Sequence, residues 1–354
     1  MAVPSSKGLV VVPSADATPA RGLAPGLWEI ANRPIVCHAV RAILDAGIDT
    51  LAIVAGSDEL EAVRDAVDSH LDPQAELTYI AWDGPTDLLG VLQCAADFVG
   101  DDAVVAHVGD GLLGQRLDLS SDGFGGETPD LLLLLHRTGD QRERLGPSAQ
   151  KLLGLSELNG TRGGLALAGI CRFAPGALRR AVECGRSNGA PVDLVGVAEA
   201  MSGEGLDVEA RLVRAWRRFR GDPLDLLELN RLVLDQQSHQ SDVLDRGDNK
   251  IEGRVIIHPT AEIASSIILG PCIIGENARV SNSYIGPYTS VGAGAEIEGA
   301  EVERSIIYQG ARIMHISERI EGSTIGRRAT IFRDFGLPRA LRFHVGEGVE
   351  VALD

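Results

Sequence analysis

Lysine is scarce in this 354-residue chain: of 33 basic residues only Lys7, Lys151 and Lys250 are lysines, against 50 acidic ones. Chemistry that depends on a lysine therefore has three places to reside. The formal charge of −17 excludes nucleic acid or an anionic membrane surface as the main partner, because both require a basic footprint. Long apolar runs are missing too; Leu131 to Leu135 is the longest candidate, far below the roughly 20 residues of a membrane-crossing helix. The initial text MAVPSSKGLVVVPS has too little apolar length for a signal peptide. Five scattered cysteines (Cys37, Cys94, Cys171, Cys184 and Cys272), none in a C-x-x-C pair, predict a reduced cytoplasmic protein without disulfides or zinc. One deficit is local. Between Gly8 and Gly22, in GLVVVPSADATPARG, no glycine occurs, although a short strand followed by a turn is where a phosphate-cradling loop is expected.

What is present falls into two patterns. Up to about Gln236, strand-like runs (Leu9–Val12, Thr50–Val54, Leu77–Ala81, Ala103–His107, Asp130–His136, Leu165–Ile170 and Asp207–Val213) alternate with helix-like ones. The latter are Asn32–Ala46, Asp58–Ser69, Thr86–Phe98, Pro175–Cys184, Asp193–Met201 and Pro223–Leu234, with apolar residues at three- and four-residue spacing. This alternation predicts a mostly parallel sheet covered on both faces, binding ligands beyond the carboxyl ends of its strands. Residues 237–253 are polar and aperiodic and read as a linker. From 254 the period changes: Ile257, Ile263, Ile268, Ile274, Val280, Ile285, Val291, Ile297, Val302, Ile307 and Ile313 recur at steps of five or six, and again at Ile320, Ile325 and Ile331. That period predicts a left-handed β-helix of hexapeptide repeats over 254–354, with closing strands in Arg339–Ala352.

The segments Ala31-Asn-Arg-Pro34, Gly109-Asp110, Leu165-Ala-Leu-Ala-Gly169, Pro223–Asp235, Asn282–Gly292 and Leu337–Arg342 resemble the sugar-1-phosphate nucleotidylyltransferases, in particular the long form of glucose-1-phosphate thymidylyltransferase. The resemblance implies a Rossmann-like, mostly parallel mixed-sheet nucleotidyltransferase domain at 1–236 followed by the β-helix. It also implies the joining of a sugar 1-phosphate to a nucleoside triphosphate, which needs N–H donors, fixed cations and a metal around the phosphates.

The chain departs from that family where the chemistry lies. The family's G-G-x-G-T-R-L loop is replaced by Pro13-Ser-Ala-Asp-Ala-Thr-Pro19, in which proline removes a donor and Asp16 opposes a phosphate. Pro25 stands for one family lysine, and Glu157-Leu-Asn159 keeps an acid while losing another lysine. Asp110 matches one metal-binding aspartate of the family, but in Trp216-Arg-Arg-Phe-Arg-Gly221 we expect Phe219 at the place of the second, from the family's W-K-D-T-G. Trp82 and Asp87 replace the base-reading residues.

Retained scaffold with altered chemistry suggests a repurposed, metal-independent enzyme that acts on a small organic molecule in the old cleft. Alternatives are a non-catalytic binding or regulatory subunit and a residual nucleotidylyltransferase. Asp110, Glu157 and Asp193 are the candidate catalytic acids. Trp82, Asp87, His107, Gly169, Trp216 and Arg218 are candidate substrate contacts. No metal or cofactor is expected, and the partners expected are a small-molecule ligand and either further copies of the chain or an active homologue. His136 is read as packing, the Arg217–Arg220 run as a surface patch pairing with acids, and His258 of His258-Pro-Thr-Ala261 as part of a structural coil.

Overall fold

In a computed structural model, residues 6–15, 23–71, 75–83, 88–118, 128–141, 143–153, 164–187, 193–237 and 248–335 are described. The expected closing strands at Arg339–Ala352 and most of the linker lie outside them. Runs of β-branched and leucine residues form a seven-stranded sheet: β1 Ser6–Val11, β2 Thr50–Ala55, β3 Glu76–Ala81, β4 Ala103–Val108, β5 Leu131–Thr138, β6 Gly164–Phe173 and β7 Val208–Leu212. Their order is β7-β5-β6-β4-β1-β2-β3. All pairings are parallel except those of β6, which runs antiparallel to β4 and β5. The result is a Rossmann-like mixed sheet.

Helices cover both faces, as amphipathic patterning requires. They are α1 Ile35–Asp45, α2 Ser57–His70, α3 Leu88–Val99, α4 Pro147–Leu152, α5 Ala177–Ser187, α6 Leu194–Gly203 and α7 Pro223–Gln236. One buried layer joins Val10, Val36, Val40, Val105, Leu132 and Trp216, and the other joins Leu9, Val104, Leu131, Phe173, Leu178 and Val197.

Helix α1 starts three residues later than its sequence pattern suggests. Ala31 and Asn32 have φ of 45° and 61° and turn a small hairpin, Glu29–Ile30 against Arg33–Pro34. Pro34 keeps Arg33 extended and so delays the helix.

The second half is a left-handed parallel β-helix. Three five-stranded parallel sheets form its faces, and the periodic residues stack inward in register. One column is Ile257, Ile274, Val291, Ile307 and Ile325; another is Ile263, Val280, Ile297, Ile313 and Ile331. A Cβ on Gly275 or Gly292 would lie 2.9 Å and 2.7 Å from backbone of the neighbouring coil, so the tight corner there requires glycine. No described helix is long and apolar enough to cross a membrane.

The coil docks on the α/β part through a shared apolar cluster of Ile30, Ile35, Leu112, Phe219, Leu226, Leu229, Ile306 and Tyr308. At its centre Asn230 of α7 is fully buried. Its Oδ1 accepts from the Ala31 N–H at 2.8 Å and the Ser290 hydroxyl at 2.6 Å, and its Nδ2 donates to the Tyr288 carbonyl at 3.0 Å. The Asn32 side-chain amide donates to the Val291 carbonyl at 2.8 Å. Asn230→Leu strands these partners without water. The expected loss is about 2–4 kcal/mol of unfolding free energy, measured by urea denaturation, and a change below about 0.5 kcal/mol would show that the network is dispensable.

Candidate functional site

The carboxyl ends of β1, β2, β3 and β4 converge where a doubly wound sheet binds its ligand, and the chain leads Asp110 there directly from β4. The Gly109 N–H holds the Val11 carbonyl at 2.7 Å, fixing the β4 exit beside β1. Immediately afterwards Gly111–Leu113 pairs antiparallel with Trp216–Arg218, Arg218 opposite Gly111 and Trp216 opposite Leu113. Side chains alternate across such a ribbon, so Trp216 and Arg218 share a face and Arg217 takes the other.

The indole of Trp216 fills the space that two glycines leave. A Cβ on Gly111 would lie 2.4 Å from the ring and one on Gly169 would lie 2.9 Å from it. Trp216 is buried, its ring 5.6 Å from that of His107. The sequence-based expectation of Trp216 and His107 as substrate contacts is therefore not matched by exposure, since both are buried; Gly169, also expected there, is partly exposed and seats the edge of the Trp216 ring.

Asp110 is buried, with 2% of its side chain exposed, and Arg218 is 39% exposed. The guanidinium forks the carboxylate, Nε to Oδ1 at 2.8 Å and Nη2 to Oδ2 at 2.8 Å, the geometry of strong charge-assisted pairing. Burial pushes the Asp110 carboxyl above its usual range while Arg218 pulls it back; Arg218, partly desolvated, is held above its ordinary value by Asp110. The Asp110 carbonyl accepts from the Phe219 N–H at 2.9 Å. The Phe219 ring turns away into the coil interface, 5.4 Å from Trp28.

Two further carboxylates tie down the strand ends. Glu59, in the first turn of α2, accepts from the Ala15 N–H at 2.7 Å and the Ser14 hydroxyl at 3.4 Å. Asp83, after β3, accepts from the Ser57 N–H at 3.0 Å and its hydroxyl at 2.6 Å, which lowers the Asp83 carboxyl. Neither acid was singled out from sequence, although acids in a first helical turn are a recognisable signal. Trp82 is half-buried against the apolar layer that holds Leu9 and Val104, its backbone N–H on the Ala55 carbonyl at 2.9 Å.

Asp193 is placed elsewhere. It caps α6, accepting from the Gly196 N–H at 2.8 Å, and α6 packs on the sheet face opposite Trp216. Glu157 and Asp87 lie outside the described residues. Arg220 pairs with Glu143 and Asp140, and His136 is buried with Nδ1 on the Arg137 carbonyl at 3.1 Å. His258 Nδ1 meets the Thr260 hydroxyl at 2.8 Å within its own turn.

A glucose-1-phosphate thymidylyltransferase of Streptomyces griseus is 31% identical over 326 residues, covering 91% of this chain and 91% of that protein. The chain belongs to the sugar-1-phosphate nucleotidylyltransferase family. A second thymidylyltransferase of the same description, from Streptomyces antibioticus, is 30% identical over 334 residues, covering 92% of this chain and 93% of the relative. A low-salt glycan biosynthesis nucleotidyltransferase of Haloferax volcanii is 28% identical over 336 residues, with 92% and 93% covered. A crystal structure of a Bacillus anthracis protein, described as a glucose-1-phosphate thymidylyltransferase in complex with a sucrose, superposes with a TM-score of 0.53 at 18% identity. It covers 66% of this chain and 98% of that one, and it supports the fold. No protein-family model matches.

The divalent metal implied by the nucleotidylyltransferase family does not fit the described residues. Both oxygens of Asp110 are taken by Arg218, and no three His, Cys, Asp or Glu side chains cluster as ligands among the described residues. The tryptophan of the W-K-D-T-G pattern fixes the count: two residues beyond Trp216 is Arg218, and it is Arg218, not Phe219, that stands opposite Asp110.

His107 adds a pH signature. It is buried, Nδ1 on the Val108 carbonyl at 2.7 Å, and burial pushes it from 6.5 down to about 4; His38 on α1 is likewise held at about 4. Between those values the unfolded chain binds more protons than the folded one, so stability is full above pH 6.5 and falls as pH drops toward 4. Urea denaturation across pH 4 to 7 should show this fall, with a shallower slope in His107→Gln; an unchanged slope would contradict a neutral buried ring.

Proposed function

We propose that this nucleotidylyltransferase-family protein does not transfer nucleotidyl groups and that its α/β cleft handles a small organic molecule without a metal, as a repurposed enzyme. The observation that supports this reading is the Asp110–Arg218 fork. Phosphoryl-transfer sites use a cation held by exposed carboxylates to neutralise charge developing on the phosphates; here the carboxylate is buried and already neutralised from within. The proline-containing turn after β1 and the absence of lysine from the family's motif positions support it too. Such a reaction would rest on shape and hydrogen bonding in the cleft. The thymidylyltransferase names of the Streptomyces relatives make a sugar-like or natural-product substrate a reasonable first library. The same reading sets the protein in the cytoplasm, as a homo-oligomer or beside an active homologue.

A second reading, a non-catalytic binding or regulatory subunit, is favoured by the engagement of Asp110, Asp83 and Asp193 with protein donors. That leaves none of the three poised as an open general base.

Incubation with glucose 1-phosphate, dTTP and magnesium should release no pyrophosphate above the protein-free control, and sustained release would overturn both readings. Pathway intermediates that accumulate when the gene is deleted then separate them. Conversion by the purified protein supports the enzyme; binding without conversion supports the subunit.

A further inference from the structure

We infer that Arg218 is a built-in cation that has replaced an exchangeable divalent ion at Asp110. Two carboxylates around a divalent cation are neutral overall, and so is one carboxylate forked by one guanidinium. The buried Asp110 thus keeps a counter-charge without an ion from solution, which a lone buried carboxylate could not do without.

The geometry is built for this. The ribbon register sets Arg218 opposite Gly111, where an added Cβ would lie 3.0 Å from Arg218 Cγ, so the missing side chain leaves a track along which the arginine reaches back to Asp110. The fork uses the Nε and Nη2 edge. Nη1 has no hydrogen bond or ion pair among the described residues, and with 39% of the side chain exposed the outer end of the cation faces solvent. A guanidinium does not lose its proton at any working pH, so the positive charge is permanent.

The inference goes beyond the proposed function, because a chain that has stopped transferring nucleotidyl groups has no need to exchange its cation. Manganese binding followed by electron paramagnetic resonance tests it. The wild-type protein should bind no Mn²⁺ at Asp110. Arg218→Asp, which places two carboxylates together, should bind one Mn²⁺ per chain and gain thermal stability from it, and the added change Asp110→Asn should abolish both effects. Where Arg218→Asp does not fold without metal, Arg218→Asn supplies the milder variant, with a weaker site that still depends on Asp110.

Wild-type Mn²⁺ binding that Asp110→Asn removes would overturn the inference, and so would folded Arg218 variants that bind none. Neither result depends on pyrophosphate release, so a protein that binds Mn²⁺ at Asp110 yet releases no pyrophosphate would sink this inference, and with it the metal-free part of the proposed function, while leaving the loss of nucleotidyl transfer standing.

Discussion

The pairing of Asp110 with Arg218 governs how the cleft end of the sheet is assembled. A buried carboxylate must have a counter-charge, and removing one partner of such a pair typically costs about 3–5 kcal/mol. To supply it, the Trp216–Arg218 strand has to lie against Gly111–Leu113, and that placement forces the indole across Gly111 and Gly169. The next residue, Phe219, is then aimed into the coil interface while its N–H stays on the Asp110 carbonyl. One ion pair thereby connects the site to the junction between the two halves of the molecule.

The strand ends show a wider reversal of charge roles. Helix starts and the turns after parallel strands offer N–H donors, and an anion at that place is stabilised by them. In this chain the anions come from the protein: Glu59 takes the Ala15 N–H and Asp83 takes that of Ser57. A chain with 50 acidic residues and three lysines has carboxylates to spare for such tasks. Donors satisfied internally give less to a ligand phosphate, which would displace a carboxylate already in position.

How much of this was legible in the sequence depended on whether the signal was local. The coil was readable because each inward column takes β-branched residues at a nearly regular step, from Ile257 through Ile325. The alternating strands and helices were readable for the same reason. The start of α1 was misplaced because positive φ at Ala31 and Asn32 leaves no mark in apolar spacing, and the three-residue strands Gly111–Leu113 and Trp216–Arg218 are too short to have a period. Both members of the ion pair were recognised as candidates, but the pairing bridges 108 positions, a separation that no local pattern reports. Trp216 and His107 were expected as substrate contacts because sequence marks a residue as special without saying whether it lines a site or fills the space beneath one.

Several segments that carry the family resemblance lie at the junction between the two halves of the molecule. Ala31 and Asn32 come from the first, Asn230 from the helix Pro223–Gln236, and Tyr288, Ser290 and Val291 from the coil text. All meet in a single buried hydrogen-bond network. That network holds α7, the hairpin before α1 and the coil in one arrangement, and its members are confined by satisfied buried polar groups that tolerate few replacements. These contacts hold the junction of the two halves whatever the cleft binds. Membership of the family follows from the overall identity to the relatives; activity depends on the strand-end residues, where Arg218 faces Asp110, and fold alone does not decide it.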